Sequence, residues 1–436
     1  MTIRDLATRL DLTLAPDPRR VIIKLFVPGE DAALARTRAA ALIDRITLLS
    51  HDETAGMLRD TLRRFGGRHH DLEATFLHHY DLVRYLVPHH VDLRPADRLL
   101  VGAYFSHEYA VEAAALCNPS MVAHPDQSDL SPGQLRVVIS MRQIGEGHLS
   151  SIGFATALLG PGTGLTVADR SGPLTVGRTT TPRILEELRR MTASDYTVAF
   201  PADVPLERRV LWPATAAESN GMEDARFVRV LREDGTLSYR ATYTAYDGRN
   251  ISSRMLDSDD LRRFEITPLR GPAAANKGMA VFPRPVGGRR LALCRSDGET
   301  IGLTVLDRHN RWQRPMPIHA PRSGWELVQA GNCGSPLETE SGWLVLTHGV
   351  GPMRRYAIGA LLLDLHEPQH VIAELPGTLL TPDDAEREGY VPNVVYSCGG
   401  LLHAGALWLP YGASDARIGF AHVALTTLME AMRRPR

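Results

Sequence analysis

The sequence predicts a mainly β protein that is preceded by a helical segment. Between about Asp31 and Leu116, apolar residues recur at three- and four-residue spacing, which is typical of amphipathic helices. After Asn118-Pro119, short β-branched or alternating runs alternate with turns rich in Gly, Pro, Asp and Asn. Many short strands separated in this way favour a β-sandwich, a β-barrel or a β-propeller.

The elements are expected in a simple order. A short strand comes first, at Arg20–Pro28, and about four or five helices follow, with a break at Gly66-Gly67. A short helix is expected last, at Leu425–Met432. The strands expected between them include Leu135–Met141, Ser238–Thr244, Arg289–Cys294, Gly342–Thr347, Ala357–Asp364 and Gly405–Tyr411. The hairpins at Trp343 and Trp408 lie about 65 residues apart, a repeat that favours propeller blades of four strands.

The composition is that of an ordinary globular protein. Of the 436 residues, 44% are hydrophobic, and 49 Lys and Arg against 50 Asp and Glu give a formal charge of −1. This balance excludes a disordered chain, a fibrous protein and a protein that binds nucleic acid by bulk phosphate attraction. No apolar run approaches about 18 residues, so no membrane span is predicted. The first residues carry frequent charges and no apolar leader, which predicts a cytoplasmic location.

Neither a disulfide framework nor a metal site is predicted, and no cofactor is expected. The four cysteines lie far apart without a CxxC pair, which is typical of reduced, buried thiols. They are Cys117, Cys294, Cys333 and Cys398. The adjacent histidines at 69/70, 78/79 and 89/90 lie in the helical part, lack HExxH spacing and have no well-placed acidic partner.

Polar residues in the turns of a β-fold are the better functional candidates, and Ser219–Arg226 is the first such group. It places Glu223 and Asp224 beside Arg226. One interpretation is a surface turn with a salt bridge. The other is that Asp224, partly desolvated and with a raised pKa, acts as a general acid while Glu223 or Arg226 orients a ligand. Asp415, in a Gly-Ala-Ser-Asp turn, either holds sugar hydroxyls or stabilises an Asx-turn.

Two further groups supply basic side chains. Lys277 lies in an Asn-Lys-Gly turn ahead of Arg295, and His348 lies in a Thr-His-Gly sequence ahead of Arg354. Each alone is explained by surface charge or by a histidine with a local partner. Together they supply what a small oxyanion such as phosphate requires. Lys24 and Lys277 are the only lysines of the chain, so Lys277 stands out where Arg is otherwise used.

These groups, in this order, resemble glycoside hydrolase family 130, the β-mannoside phosphorylases and β-mannosidases, over residues 118–422. The motifs that carry the resemblance are Asn118–Ser120, Gly221–Arg226, Asn276–Pro283, Arg295, Gly342–Val350, Ile358–Asp364, Val391–Val395 and Tyr411–Asp415. The resemblance implies a five-bladed β-propeller over residues 118–436, with the active site in its central depression. It leaves residues 1–117 as an N-terminal strand plus helical extension.

The resemblance also implies roles for single residues. Asp224 matches the general acid, which in the phosphorylases protonates the leaving oxygen through the 3-hydroxyl of the non-reducing mannose. Asn118, Ser120 and Asp415 match residues around the bound sugar. The residues that match the phosphate site are Arg142, Lys277, Arg295 and His348. Inorganic phosphate, the co-substrate, would attack C1 from the opposite face and convert a β-mannoside, expected to be a β-1,2-linked manno-oligosaccharide, into α-mannose 1-phosphate.

The sequence departs from the family pattern in the phosphate site. Lys277 stands where many phosphorylases have Arg, Gly278 where they often have Asp, and Gln329 where a second Lys is usual. Losing one cation costs such a site ~1.5–3 kcal/mol of charge-assisted hydrogen bonding. In the family's hydrolases a carboxylate that activates water replaces the anion site, and Glu326 or Glu338 is the alternative base here. A third hypothesis is a non-catalytic propeller that binds a sugar or a protein.

The helical extension has four alternative roles. It caps one face of the propeller, mediates homo-oligomerisation, narrows the sugar cleft, or packs without any ligand contact. Tyr104–Tyr109 leads directly into Asn118, and we expect the last helix, which includes this segment, to frame the site. The expected partners are a β-mannoside and phosphate, with no nucleic acid and no membrane.

Overall fold

The computed structural model describes residues 5–29, 32–88, 91–162, 164–180, 195–232 and 234–435. The chain folds into two compact units. The larger unit contains the described parts of residues 1–17, 112–170 and 176–436. The smaller unit contains those of residues 18–111 and 171–175.

Strands outnumber helices throughout the described residues. The helices are α1 (Ala32–Thr47), α2 (His51–Phe65), α3 (Leu72–Val83), α4 (Pro95–Tyr104) and α5 (Leu425–Ala431). The strands are β1 (Thr8–Leu14), β2 (Val21–Leu25), β3 (Ser106–Ala110), β4 (Ala115–Ala123), β5 (Leu135–Ile144), β6 (Ser150–Leu159), β7 (Leu165–Val167), β8 (Thr175–Val176), β9 (Arg178–Thr180), β10 (Tyr196–Ala199), β11 (Arg209–Leu211), β12 (Gly221–Leu231), β13 (Leu237–Tyr246), β14 (Ile251–Ser258), β15 (Arg263–Pro268), β16 (Ala280–Val281), β17 (Leu291–Cys294), β18 (Ile301–Val305), β19 (Met316–His319), β20 (Gln329–Asn332), β21 (Leu337–Thr339), β22 (Gly342–Val350), β23 (Tyr356–Leu363), β24 (Val371–Glu374), β25 (Val395–Tyr396), β26 (Leu401–His403), β27 (Ala406–Ala413) and β28 (Arg417–Ala424).

The smaller unit packs α1 to α4 together with the antiparallel pair β2 and β3. Helix α2 begins with a capping box, in which Ser50 and Glu53 satisfy each other's backbone N–H groups, and it ends before Gly66. The apolar faces meet around Ile43, Leu100 and Phe105, which are fully buried. Within the described residues, no helix is long and apolar enough to cross a membrane.

The larger unit consists of four β-sheets. The largest has the strand order β4-β5-β6-β12-β13-β14-β15-β10-β9, with β7 and β11 also paired to β6. The others have the orders β16-β17-β18-β19, β20-β22-β23-β24 and β1-β28-β27-β25. Neighbours along these paths are antiparallel except β6 and β12, which meet in parallel where Gly221 lies beside Ser150. Apolar residues of adjacent sheets fill the space between them, which fixes the positions of the inner strands.

Most of the predicted elements are confirmed. The opening strand is β2, the six predicted strands are β5, β13, β17, β22, β23 and β27, and the terminal helix is α5. All four cysteines are free and buried, as predicted.

The predicted last helix at Tyr104–Tyr109 is wrong. Helix α4 ends at Tyr104, and Ser106–Ala110 forms β3. The helix ends there because Phe105 leaves the helical conformation, at φ −96° and ψ 21°, after which each residue of β3 pairs with one of β2. Tertiary pairing therefore overrides the local helical spacing.

Candidate active site

Two β-bulges build the centre of the site. The pairing register shifts between Cys117 and Ser120 in β4 and between Glu223 and Arg226 in β12. Asn118 and Asp224 lie in these bulges with left-handed backbone, at φ of 50° and 55°. A bulge re-aims the side chain that it carries. The Asn118 amide Nδ2 consequently donates to Asp224 Oδ1 at 2.5 Å, and both side chains are buried.

Asp224 lies among cations. Arg142 Nη1 is 3.7 Å from its Oδ1, Arg226 Nη2 is 3.9 Å from its Oδ2, and the Lys277 charge lies nearby. Burial alone would raise the pKa of Asp224, but these three charges and the Asn118 amide outweigh it and lower the pKa below its ordinary value. Asp224 is therefore ionised at neutral pH before a ligand binds, contrary to the raised pKa expected from the sequence.

Glu223 holds two of the cations in place. Its Oε1 accepts from Arg142 Nη2 at 2.7 Å, and its Oε2 accepts from Lys277 Nζ at 2.6 Å. Arg142 Nε also donates to Ser150 Oγ at 2.9 Å. Both carboxylate oxygens of Glu223 are thus engaged by protein cations. Glu223 therefore aligns Arg142 and Lys277, and its role in binding the substrate stays a prediction.

Arg295 and His348 form a second basic pair beside this cluster. Gly278 adopts a left-handed φ of 96° and lies beside Arg295, because a Cβ built on Gly278 would be in ordinary contact with the Arg295 Cβ, at 3.7 Å. Arg295 Nη1 donates to His348 Nε2 at 3.1 Å, so the imidazole proton belongs on Nδ1. Burial, and then the charges of Arg295 and Arg226, lower the pKa of His348 and keep the ring neutral. Arg295 Nε is buried and has no hydrogen-bond partner among the described residues.

Asp415 provides a second carboxylate near Asp224. It follows Ser414 in a left-handed turn, with φ of 49° and 48° for the two residues. Burial, followed by the negative charges of Asp224 and Glu223, raises the pKa of Asp415 to about 6 against the weaker effect of Arg142 and Arg354. The site thus contains one carboxylate that favours the ionised form and another that retains its proton in mildly acidic solution.

Replacing Asp415 by Asn should stabilise the folded protein. The folded-state pKa of Asp415 lies above the unfolded-state value of about 3.9, so the stability that its protonated form provides is present below about pH 4 and lost as pH rises through about 6. At pH 7 we expect Asp415→Asn to raise the free energy of unfolding by roughly 1–3 kcal/mol. Urea unfolding at pH 7 and at pH 4 measures this, and the gain should disappear at pH 4. An equal gain at both pH values would contradict the assignment.

Ser120 and Arg226 both have partners within the protein. Ser120 is fully buried, and its Oγ accepts from the backbone N–H of Phe227 at 3.1 Å, which joins β4 to β12. Its predicted contact with the sugar stays a prediction. Arg226 is 2% exposed and donates to the carbonyls of Cys333 and Asp224 and to the hydroxyl of Tyr396. Arg226 therefore supports the bulge of Asp224, and its role in orienting a ligand stays a prediction.

The two alternative bases are engaged elsewhere. Glu326 is 2% exposed, and its oxygens accept from His319 Nε2 at 3.0 Å and from backbone N–H groups. Burial opposes the ionisation of Glu326, but these bonds outweigh it and lower its pKa. Glu338 lies in β21 of the β21–β22 hairpin, where it is opposite Trp343 in the strand register. Its side chain accepts hydrogen bonds from Arg284. Trp343 is five residues from His348, about 17 Å along an extended strand. Both carboxylates thus have partners within the protein, and their role as the base stays a prediction.

Left-handed backbone occurs at several non-glycine residues of the site, and strain of this kind is common at functional sites. These residues are Asn118, Asp224, Ser414 and Asp415, and the same conformation also occurs away from the site, for example at Asp129 and Asn310.

Two tyrosines of the site were missed by sequence reasoning. Tyr396 bonds Arg226 and meets the His348 ring edge-on at 4.9 Å, while Tyr356 stacks on His348 at 6.2 Å. Tyr396 directly follows the 391–395 motif, which was its only signal in the sequence.

Two histidines of the adjacent pairs have hydrogen-bond partners close by. Where the structure describes the chain, no three His, Cys, Asp or Glu side chains come together to hold a metal ion. His69 bonds Glu108 and His79 bonds Ser106, which explains both as buried structural histidines. The pair at 89/90 lies outside the described residues.

The fold and the site together define a mainly β enzyme of the class that acts on glycosidic bonds. The family model described as beta-1,4-mannooligosaccharide phosphorylase matches residues 201–434, which is more than half of the chain. The 1,2-β-oligomannan phosphorylase of Thermoanaerobacter sp. strain X514 is 31% identical over 220 residues, which cover 50% of this chain and 72% of that protein. The chain belongs to glycoside hydrolase family 130.

Further similarities agree with this assignment. The β-1,2-mannobiose phosphorylase of the same Thermoanaerobacter strain is 33% identical over 222 residues, which cover 49% of this chain and 70% of that protein. The solved structure of a β-1,2-mannobiose phosphorylase from Listeria innocua, in complex with β-1,2-mannobiose, superimposes with a TM-score of 0.52 at 18% identity. That match covers 73% of this chain and 92% of the other, and it shows a shared fold.

Proposed function

We propose that the protein is an inverting phosphorylase that cleaves β-mannosides, with β-1,2-linked manno-oligosaccharides as substrates and α-mannose 1-phosphate as product. The observation that carries the proposal is the set of basic groups beside Asp224. Arg295 packs against Gly278, the residue that follows Lys277, and Arg295 Nε is buried without a hydrogen-bond partner among the described residues. A small tetrahedral oxyanion suits such a fork of donors. The names of the relatives support phosphate as that anion and mannosides as the sugar.

The proposed reaction needs a proton on Asp224, which the free site does not favour. Phosphate bound at Lys277 and Arg295 adds negative charge beside Asp224 and offsets the cations that lower its pKa. Binding of phosphate therefore promotes uptake of the proton that Asp224 then delivers, through the 3-hydroxyl of the sugar, to the leaving oxygen. A phosphate oxygen attacks C1 from the opposite face, so one C–O bond forms as the glycosidic bond breaks.

Hydrolysis is the second candidate. It is favoured by Gln329, which stands where a phosphate-binding Lys is usual and whose Nε2 lies 3.5 Å from the hydroxyl of Tyr356. An inverting hydrolase needs a free carboxylate to activate water. Glu326 and Glu338 both have other partners, so the phosphorylase is the better supported of the two.

Product analysis separates the two functions. Wild-type protein is incubated with β-1,2-mannobiose, with and without about 10 mM inorganic phosphate, a concentration above typical KM values. We expect α-mannose 1-phosphate and mannose in equal amounts, and turnover only when phosphate is present. Equal release of free mannose without phosphate would show hydrolysis and remove the proposed role of Lys277 and Arg295.

We also propose that residues 118–436 form a five-bladed propeller as the catalytic domain, with β1 (Thr8–Leu14) added to its last blade through pairing with β28. The largest sheet divides where β6 and β12 meet at one residue pair, which leaves two groups of antiparallel strands. These two groups and the other three sheets make five groups of strands, one for each proposed blade. Hydrogen bonds between successive groups support a ring. They join Phe227 N–H to Ser120 Oγ, Leu231 N–H to the Pro283 carbonyl, Asn332 Nδ2 to the Gly278 carbonyl, Tyr356 N–H to the Asn393 carbonyl, and Cys398 N–H to the Pro119 carbonyl.

A further inference from the structure

An exposed aromatic pair lies outside the contacts described so far. The Tyr390 hydroxyl is hydrogen-bonded to His148 Nδ1 at 2.7 Å, and the two ring centroids are 5.6 Å apart at an interplanar angle of 40°. Tyr390 is 45% exposed. Single exposed aromatic residues are common and need no explanation. Two exposed rings held to each other by a hydrogen bond form a fixed, partly apolar surface.

Both residues are tied to the active site by short stretches of chain. His148 is two residues before Ser150, whose hydroxyl accepts from Arg142. Two residues of extended chain span about 7 Å, close to the width of one pyranose ring. On the other side, Tyr390 precedes Val391, whose N–H donates to the Ser414 carbonyl next to Asp415. The pair thus joins the turn beside Arg142 to the turn that carries Asp415.

The backbone at both ends is constrained to present these rings. His148 has a left-handed φ of 63° and follows Gly147 at 62°, which is a sparsely populated conformation for a residue with a side chain. Gly389 packs so tightly that an added Cβ would lie 2.6 Å from the Ser414 Cβ. Both rings are exposed, so the constraint does not place them in the core, whereas a ligand that covers the rings would make use of it.

We propose that Tyr390 and His148 form the platform for the leaving-group sugar, the pyranose released when the glycosidic bond at Asp224 is cleaved. The proposal rests on the proposed function of the same site. A pyranose presents apolar C–H groups on its face and hydroxyls around its rim. The tyrosine ring covers the apolar face, while the polar edge of His148 lies at the level of the hydroxyls. The platform makes Tyr390 a determinant of which sugar is accepted as the leaving group.

The test compares two ligands that differ in the leaving-group sugar. Calorimetric titration of the full-length Asp224→Asn protein, with and without Tyr390→Ala, measures the affinity for β-1,2-mannobiose and for α-mannose 1-phosphate. We expect Tyr390→Ala to weaken mannobiose binding about tenfold, which equals about 1.4 kcal/mol. α-Mannose 1-phosphate lacks the leaving-group sugar and should bind as before. Tyr390→Phe keeps the ring and should lose less than Tyr390→Ala.

A matched control removes an exposed apolar side chain elsewhere in the unit. Leu237 is 48% exposed and pairs with Leu231, seven residues and about 23 Å along β12 from Asp224. Leu237→Ala should leave both affinities unchanged. Unchanged mannobiose binding in Tyr390→Ala, or an equal loss for both ligands, would overturn the platform. Absence of binding of α-mannose 1-phosphate to the Asp224→Asn protein would instead count against the proposed phosphorylase, and the mannobiose titration would still decide the platform.

Discussion

Replacement of Asp224 by Asn should reduce turnover of β-1,2-mannobiose by roughly 10²–10⁴-fold, the range in which a general acid contributes. Asn has the same shape and still accepts the bond from the Asn118 amide, but it has no proton of the required acidity to deliver. The loss should be smaller for an aryl β-mannoside, because a good leaving group needs little protonation. Steady-state rates with both substrates, at saturating phosphate, measure the difference.

The control for this variant is a second Asp→Asn change in the same sheet. Asp257 in β14 pairs with Arg240 Nε at 2.6 Å and is half-buried, so Asp257→Asn also removes a charge from an ion pair. We expect it to keep full activity. Thermal unfolding of both variants shows whether the fold is retained. If Asp224→Asn turns over mannobiose within a few-fold of the wild-type rate, the assignment of Asp224 as the acid is contradicted.

The fold was predictable where its signals are local. The strands β5, β22 and β27 alternate or are apolar throughout and lie between turn residues, so their pattern alone identifies them. Strand β1 (Thr8–Leu14) was missed although Leu10, Leu12 and Leu14 alternate, because its partner β28 lies at the other end of the sequence. Strand β3 was assigned to a helix for the same reason. A pairing partner far along the chain cannot be inferred from local spacing.

The site was predictable in position but less so in contacts. Asp224, Asn118, Arg142 and Lys277 meet as the motifs suggested, but the bonds of Ser120 to Phe227 and of Glu223 to Lys277 could not be predicted from the sequence. Successive side chains of a strand point to opposite faces of the sheet, and a bulge of one residue reverses which side chains point to which face. Both bulges depend on pairing between strands, which single residue types do not indicate. Residue chemistry therefore located the cluster, but the structure was needed to show which side chains face a ligand.

Replacement of Arg295 by Ala should raise the KM for phosphate by roughly 10- to 100-fold, since a hydrogen bond to a charged group contributes ~1.5–3 kcal/mol. The KM for mannobiose should change little, because Arg295 bonds His348 and has no contact with Asp224 among the contacts that the structure describes. Initial rates at varied phosphate and fixed mannobiose give the first value, and the reverse design gives the second. Arg284→Ala is the matched control, because Arg284 pairs with the exposed Glu338.

The Arg295 variant also tests how the anion and the acid are connected. If phosphate brings the proton to Asp224, then weaker phosphate binding should move the alkaline limb of the kcat/KM profile for mannobiose to lower pH at a fixed phosphate concentration. The direction follows from charge: without the bound anion, Lys277 and Arg142 keep the pKa of Asp224 low, and the active protonated form disappears at lower pH. Saturating phosphate should restore the wild-type profile. A profile that is the same in both proteins at every phosphate concentration would mean that Asp224 gains its proton independently of the anion.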